Sequence, residues 1–325
     1  MKAVVANRLS DIPDMTLEER SQPQLKPGHS LVKVHAATVN PLSELVRSGK
    51  VPHAVTPLVL SNDGAGTIES SDQFSPGTPV AIYGGGQLGI TEDGLQQQWV
   101  MVENKRLFDL PSSVNLDEAS AIPINYVTAY QSLTRVGNVG VGHTVLISGA
   151  SGALGHALVQ ISLALGATPI AVVSSASKVE SAIESGADHV IDLSSQDLSS
   201  VVYELTDGVG VDFVFDVVGG ALLGPLVQVL RRRGTAVSIG FVGGDTAEVK
   251  VSDLVVEEKC LHGYDAWLET DQDVAKAFDA LRGFISSGMV RPRIDSRYPI
   301  DQYDAAYKRL ASREARGAIL LAMWE

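Results

Sequence analysis

Apolar and polar positions alternate in two rhythms along this chain. Over residues 1–110 the apolar or β-branched runs are short: Met1–Ala6, Leu31–Ala37, Leu58–Leu60, Gly66–Glu69, Pro79–Ile82 and Gln98–Val102. Turn-forming residues separate them at Pro27-Gly28, Asn62-Asp63-Gly64, Pro76-Gly77 and Gly84-Gly85-Gly86. Many short strands at such spacing predict a compact β barrel or sandwich. A short helix is predicted over Asn40–Ser48, with Asn40 or Ser43 as its cap. From Leu116 the spacing turns helical through Ala119, Ile122 and Val127. Asn115 and Glu118 supply the polar pair of a capping box, and the helical signal continues through Leu133.

A second rhythm begins at Thr144. Strand-like runs at Thr144–Ser148, Pro169–Val173, Val211–Val217 and Thr235–Ile239 alternate with helical segments at His156–Leu165, Leu198–Thr206 and Ala221–Arg231. Such alternation predicts an α/β domain built on a doubly wound parallel sheet. Ala247–Val256 offers a further strand that could pair with a second copy across an edge. Val274, Phe278, Leu281 and Ile285 share one face of a helix over Asp271–Ser287. Another helix over Tyr303–Ser312 and a strand over Ala318–Met323 end the chain, and that tail need not join the parallel sheet.

The turn between the first strand and helix of that second region carries chemistry. It reads Gly149-Ala150-Ser151-Gly152-Ala153-Leu154-Gly155. Glycines there allow a tight turn and let a pyrophosphate approach backbone N–H groups, while the helix N-terminus supplies donors and a positive dipole end. Strand, glycine turn, helix and strand in that order predict a dinucleotide site, against the plainer reading of a tight turn with no ligand. Ligands in such sheets lie beyond the carboxyl ends of the strands, which gathers Val217–Gly220 (Val218 among them), Ile239, Gly240 and Phe241 around the same crevice. An NAD site carries an acid at the end of the second strand. Here that end reads Val173-Ser174-Ser175, with Lys178 close behind. Hydroxyls and an ammonium suit a 2′-phosphate, so NADPH (the NADP cofactor pair) is predicted over NADH. By itself Lys178 reads equally well as a solvated residue in the next helix.

The totals narrow the partners. The chain has 325 residues, enough for two domains, and 25 basic against 38 acidic residues give a formal charge of −13. That balance argues against nucleic acid or an anionic membrane as partner. The single cysteine, Cys260, rules out an intrachain disulfide framework and a cysteine zinc cluster. The start, MKAVVANRLSDIPDM, lacks a long apolar core, and no apolar run reaches membrane-spanning length, so the chain reads as cytoplasmic.

Six segments together resemble one family: LVKVHAATVNPLSELVRSG (31–49), PLVLSNDGAGTI (57–68), EASAIPINYVTAYQSL (118–133), GASGALG (149–155), DVVGG (216–220) and EARGAILL (314–321). They are similar to the zinc-free quinone oxidoreductase branch of the medium-chain dehydrogenase/reductase superfamily, over essentially the whole chain. The resemblance implies a GroES-like β-rich catalytic domain over 1–124 and 264–325, interrupted by a Rossmann NADPH-binding domain over 125–263. It also implies a homodimer and a site between the domains. Zinc-dependent relatives use a cysteine, a histidine and a second cysteine; the matching positions here are Asn40, Asn62 and Ile124, none a zinc ligand. The resemblance places Asn40 beside nicotinamide and substrate, Thr128 near the cofactor, and Arg316 within reach of the 2′-phosphate. The plainer roles of these three are a turn or helix cap, a mid-helix hydroxyl and a surface cation.

Three departures from the family pattern bear on the acceptor. Ser43 stands where an aspartate is common, Asn62-Asp63 replaces a small or glycine-containing pair, and Tyr126 replaces a small residue. Tyr126 is therefore expected to narrow the pocket, to donate a proton, or simply to pack between domains; Tyr83 carries a similar ambiguity. Without zinc, an electrophilic small molecule is the expected acceptor, a quinone or an α,β-unsaturated carbonyl. An enoyl-thioester reductase and a non-catalytic NADPH-binding structural or sensor protein remain alternatives.

Overall fold

The computed structural model describes residues 1–111 and 114–324. Its strands and helices run in chain order. The first part holds β1 (Lys2–Arg8), β2 (Asp14–Glu19), β3 (His29–Thr38), α1 (Pro41–Arg47), β4 (Leu58–Val59), β5 (Asp63–Ser71), β6 (Pro79–Tyr83), β7 (Trp99–Glu103) and β8 (Leu107–Phe108). Helices α2 (Leu116–Ala121) and α3 (Pro123–Gln131) follow. The middle holds β9 (Thr144–Ser148), α4 (Ala153–Ala164), β10 (Thr168–Val173), α5 (Val179–Ile183), β11 (His189–Asp192), α6 (Leu198–Leu205) and β12 (Val211–Asp216). It continues with α7 (Leu223–Gln228), β13 (Leu230–Ser238), α8 (Val251–Val256) and β14 (Cys260–Gly263). The chain ends with α9 (Asp271–Ser286), β15 (Ile294–Pro299), α10 (Tyr303–Ala311) and β16 (Ala318–Ala322).

These elements form two compact units. One comprises Met1–Asn125, Ala266–Ser286 and Arg291–Glu325; the other comprises Tyr126–Asp265 and Ser287–Val290. The first unit carries a GroES-like mixed arrangement of two sheets. A three-stranded sheet runs β2-β1-β4, and a larger one runs β15-β16-β3-β5-β6-β8 with β7 also paired to β3. The tail strand β16 lies antiparallel to β3, so the chain's end completes the sheet that its beginning starts. Its core gathers Val32, Val34, Leu60, Ile82, Leu95, Tyr307 and Leu321.

The second unit has one parallel sheet in the order β11-β10-β9-β12-β13-β14. Numbered within the unit, that is 3-2-1-4-5-6, the doubly wound order whose reversal lies between β9 and β12. Leu146, Ile170, Val172, Val214 and Ala236 of adjacent strands form its core with Leu198, Val202 and Leu226. Among the described residues no helix is long and apolar enough to cross a membrane.

Three local expectations are corrected. Asn62-Asp63-Gly64 is not a turn, because Asp63 and Gly64 begin β5. The glycine serves close packing: a Cβ on Gly64 would lie 2.4 Å from the Ala36 carbonyl oxygen across the β3–β5 ladder. The helix expected over Ala221–Arg231 stops at Gln228, since Leu230 is buried in register with Val211 and Arg231 pairs with Asp212 at 2.5 Å. Ala247–Val256 supplies no strand; Val251–Val256 is a helix, and the sheet edge is β14. Its valines satisfied a local β-propensity that the tertiary structure overrides.

Gly64→Ala is expected to destabilise the first unit by about 3 kcal/mol or more, since backbone on the neighbouring strand must move. Urea unfolding followed by tryptophan fluorescence measures this; an unchanged midpoint would show that the ladder tolerates the methyl group.

Candidate active site

The candidate residues fall into two groups, one in each unit. In the second unit β9 ends at Ser148, buried, and the chain turns through Gly149 at φ +60° into α4. A Cβ on Gly155 would sit 2.2 Å from the Gly149 carbonyl oxygen, so only glycine lets the first turn of α4 rest against the loop. Gly152 is the N-cap of α4 and offers no side chain to the helix. The backbone donors of Ala153, Leu154 and Gly155 therefore lack a side-chain cap, the arrangement an anionic phosphate completes. Ser151 is buried within the turn.

Asp216, fully buried at the end of β12, shapes the opposite lip. It accepts from the Ser148 hydroxyl at 2.5 Å and from the backbone N–H groups of Val218 (2.9 Å) and Gly219 (3.1 Å). Its own carbonyl accepts from Ile239 at 2.8 Å and from Gly240 at 3.3 Å. Sequence reasoning placed Val218, Ile239 and Gly240 here but missed the residue that gathers them. Phe241 is 53% exposed.

At the end of β10, Ser174 is exposed and receives a hydrogen bond from Lys178 Nζ at 3.1 Å; Ser175 shares one with Ser177, also at 3.1 Å. The structure thus brings Ser174 and Lys178 together, with no acid at the strand end. Thr128 is buried in α3. Tyr126 is buried too, and its hydroxyl donates to Gln160 Oε1 at 2.8 Å, fastening α3 to α4. That geometry fits packing better than proton delivery.

In the first unit Asn40 is the N-cap of α1. Its amide makes four bonds: Nδ2 donates to Thr38 Oγ1 (3.0 Å) and Asp63 Oδ1 (3.1 Å), while Oδ1 accepts from the Ser43 N–H (3.2 Å) and hydroxyl (3.5 Å). Ser43 is itself buried. Asp63, with no exposed surface, also accepts from the Thr38 hydroxyl and from the Ile124 N–H at 3.4 Å. Burial pushes its carboxyl up to about 7, against the opposing pull of the bonds from Thr38, Ile124 and Asn40. Asn62 turns away, with Nδ2 on the Gly85 carbonyl at 3.1 Å.

Asn40 and the Ile124 backbone therefore converge on Asp63, not on Asn62. An amide with its donors committed, an amide held by a carbonyl and an aliphatic side chain do not make a zinc site. No cluster of three His, Cys, Asp or Glu side chains that could hold a metal occurs among the described residues. Across the β5–β6 ladder Asp63 pairs with Tyr83, whose hydroxyl meets the Ala266 carbonyl at 3.3 Å. Tyr83 also lines a cavity of about 290 Å³, with Gly86, Lys105, Phe108 and Trp267. Arg316 lies in this unit before β16, with its N–H on Asp295 at 2.8 Å.

A six-stranded parallel sheet with a glycine turn at its reversal, in one chain with a GroES-like unit, defines a two-domain dinucleotide-binding fold. Residues 153–282 match the zinc-binding dehydrogenase family, and residues 26–112 match the alcohol dehydrogenase GroES-like domain. A quinone oxidoreductase of Pseudomonas aeruginosa is 30% identical over 317 residues, 94% of this chain and 95% of that one. A 2-haloacrylate reductase of a Burkholderia species is 28% identical over 312 residues, 91% of each chain. Among solved structures, a mycobacterial protein in complex with NADPH superposes with a TM-score of 0.88 at 25% identity, covering 99% of this chain and 100% of that one. The chain belongs to the quinone oxidoreductase branch of the medium-chain dehydrogenase/reductase superfamily.

The raised Asp63 carboxyl sets a pH expectation. A group whose folded pKa exceeds its unfolded value stabilises fully below the unfolded pKa and loses that contribution as pH rises through the folded one. The folded value is about 7 and the ordinary one 3.8, so the loss falls in the window between them and just above. Urea midpoints of the wild type relative to Asp63→Asn should therefore decline from about pH 5 to about pH 8. Parallel pH dependences in the two proteins would contradict the buried-carboxyl assignment.

Proposed function

We propose that this chain is a zinc-independent reductase that uses NADPH to reduce a quinone or an α,β-unsaturated carbonyl compound. The observation carrying the cofactor choice is the end of β10, where Lys178 rests on Ser174 and no acid stands. The relatives named quinone oxidoreductase and 2-haloacrylate reductase support the acceptor class, and the mycobacterial structure with NADPH supports the cofactor.

The residues of the second unit fit NADPH. The turn Gly149–Gly155 and the uncapped start of α4 would hold the pyrophosphate through backbone N–H groups. Ser174, Ser175 and Lys178 would hold the 2′-phosphate by charge-assisted hydrogen bonds. Val218, Ile239, Gly240 and Phe241 follow the strands β12 and β13 at their carboxyl ends and would border the nicotinamide. When bound, NADPH supplies the hydride; the protein's part is to orient the acceptor and exclude water. We assign the acceptor to the Asn40–Asp63 group. Solvent protonates the reduced acceptor, since the Tyr126 hydroxyl is buried on Gln160.

We also propose a homodimer through β14. All four of its residues are exposed at the sheet edge, with Leu261 40% exposed; Val255 and Val256 on α8 are exposed as well. An uncovered edge beside apolar side chains is a pairing surface for an identical edge. Leu261→Asp should shift the sedimentation coefficient from dimer to monomer; a wild type that sediments as a monomer would remove the assignment.

NADPH should bind about tenfold to a hundredfold more tightly than NADH, the worth of one charge-assisted phosphate contact. Lys178→Ala should erase most of that difference in a fluorescence titration; equal affinities in the wild type would overturn the cofactor choice. NADPH oxidation against a benzoquinone, 9,10-phenanthrenequinone, a short enone and a crotonyl-thioester discriminates the acceptors. Turnover of the thioester alone would favour an enoyl-thioester reductase. Tight NADPH binding with no turnover would favour a cofactor-binding sensor.

A further inference from the structure

We propose that Asp63 is the positioning residue of the acceptor site, holding the Asn40 amide and the Ile124 backbone on one buried carboxylate. The inference rests on the reading of Asn40 as part of that site. Its geometry is specific. Asp63 receives three donors that arrive from three places: the Thr38 hydroxyl at the end of β3, Asn40 Nδ2 just after it, and the Ile124 N–H in the first turn of α3. The carboxylate therefore ties β3, β5 and α3 together where α1 begins.

The donor set also decides which state of Asp63 does this. A backbone N–H and an amide Nδ2 can only donate. An ionised carboxyl accepts all three bonds. A protonated one has a hydrogen to place: on Oδ2 it displaces the Ile124 N–H, and on Oδ1, where Thr38 and Asn40 meet, only the Thr38 oxygen can receive it. That oxygen already accepts from Asn40 Nδ2 at 3.0 Å, so Thr38 would have to turn its own hydrogen elsewhere. Protonation thus gives up either the Ile124 N–H or the Thr38 bond, and through Thr38 it loosens the hold on Asn40 and, through Asn40 Oδ1, on the Ser43 N–H that opens α1.

Among the described residues, the side chains and backbone bonded to the Asp63 carboxyl are those of Thr38, Asn40 and Ile124, none of them charged. Tyr83 pairs with it across β6. The acids of α2 are engaged elsewhere: Asp117 with His35 (2.7 Å) and Arg297 (3.1 Å), and Glu118 with Arg291 (2.7 Å). Burial is the largest influence on the carboxyl and brings its titration to about 7, where both states are populated near neutral pH.

The test compares wild type, Asp63→Asn, Thr38→Val and Thr38→Ser by kcat and KM with 9,10-phenanthrenequinone from about pH 5.5 to about pH 9, beside NADPH affinity. Wild-type kcat should rise with pH through a single ionisation near 7, the value burial sets for Asp63. Asp63→Asn should lower kcat about tenfold and flatten that profile, with NADPH affinity unchanged within about twofold. Thr38→Val should lower kcat as well, and Thr38→Ser should restore it. A second readout needs no turnover: the side-chain amide resonances of Asn40, followed by 15N NMR in wild type, should titrate with the same midpoint. An Asp63→Asn enzyme that keeps both the wild-type kcat and its inflection would overturn the proposal, as would Asn40 resonances that do not move. If the wild type binds NADPH but reduces no acceptor, the reductase reading fails, and the Asn40 titration alone decides the role of Asp63.

Discussion

The carboxylate of Asp216 is the contact on which the cofactor half of this protein depends. It sits at the reversal of the sheet, where β9 and β12 diverge in their connections, and has no exposed surface. Left without partners, a buried charge there would be costly. Donors from the Ser148 hydroxyl, Val218 and Gly219 satisfy it, and in doing so they bend the chain after β12 away from the strand direction. The same residue's carbonyl receives Ile239 and Gly240, so the ends of β9, β12 and β13 are fixed relative to one another by one side chain and its own backbone. The glycine turn after β9 keeps its shape because its neighbours are held this way.

The first unit uses a second buried aspartate differently. Asp63 also draws in donors from distant parts of the chain, but its partners are a hydroxyl, an amide and one long backbone bond at 3.4 Å. The balance between burial and hydrogen bonding is close enough to leave its carboxyl titrating about 7. One aspartate thus belongs to a framework, while the other sits where a change of charge rearranges the groups around it.

This difference bears on what could be read from the amino-acid order. The parallel sheet, the glycine turn and the capping box at Asn115 and Glu118 were legible because each is local: the residues that make the feature are within a few positions of one another. Asn40 as a helix cap was legible for the same reason. The edges of the sheets were not. Strands β8, β14 and β15 are short or largely polar, and each pairs with a strand whose partner residues lie well away along the chain. Val251–Val256 misled because a run of valines matches a strand when only its own composition is weighed.

The residue groups of the two units therefore differ in legibility for a physical reason. A dinucleotide is recognised by backbone N–H groups and by the absence of side chains, and glycine spacing encodes both directly. The group around Asp63 is built from side chains that meet through tertiary contacts. Asp63 meets Asn40 from 23 positions away and Ile124 from 61, and Tyr126 meets Gln160 from 34. No local pattern distinguishes a tyrosine that will donate a proton from one that will be buried against a glutamine. Nor does it distinguish an aspartate that begins a strand from one that makes a turn. Asn62-Asp63-Gly64 carried turn-forming residues for reasons of packing and charge burial, so the very composition that hid β5 also hid the carboxyl on which Asn40 rests.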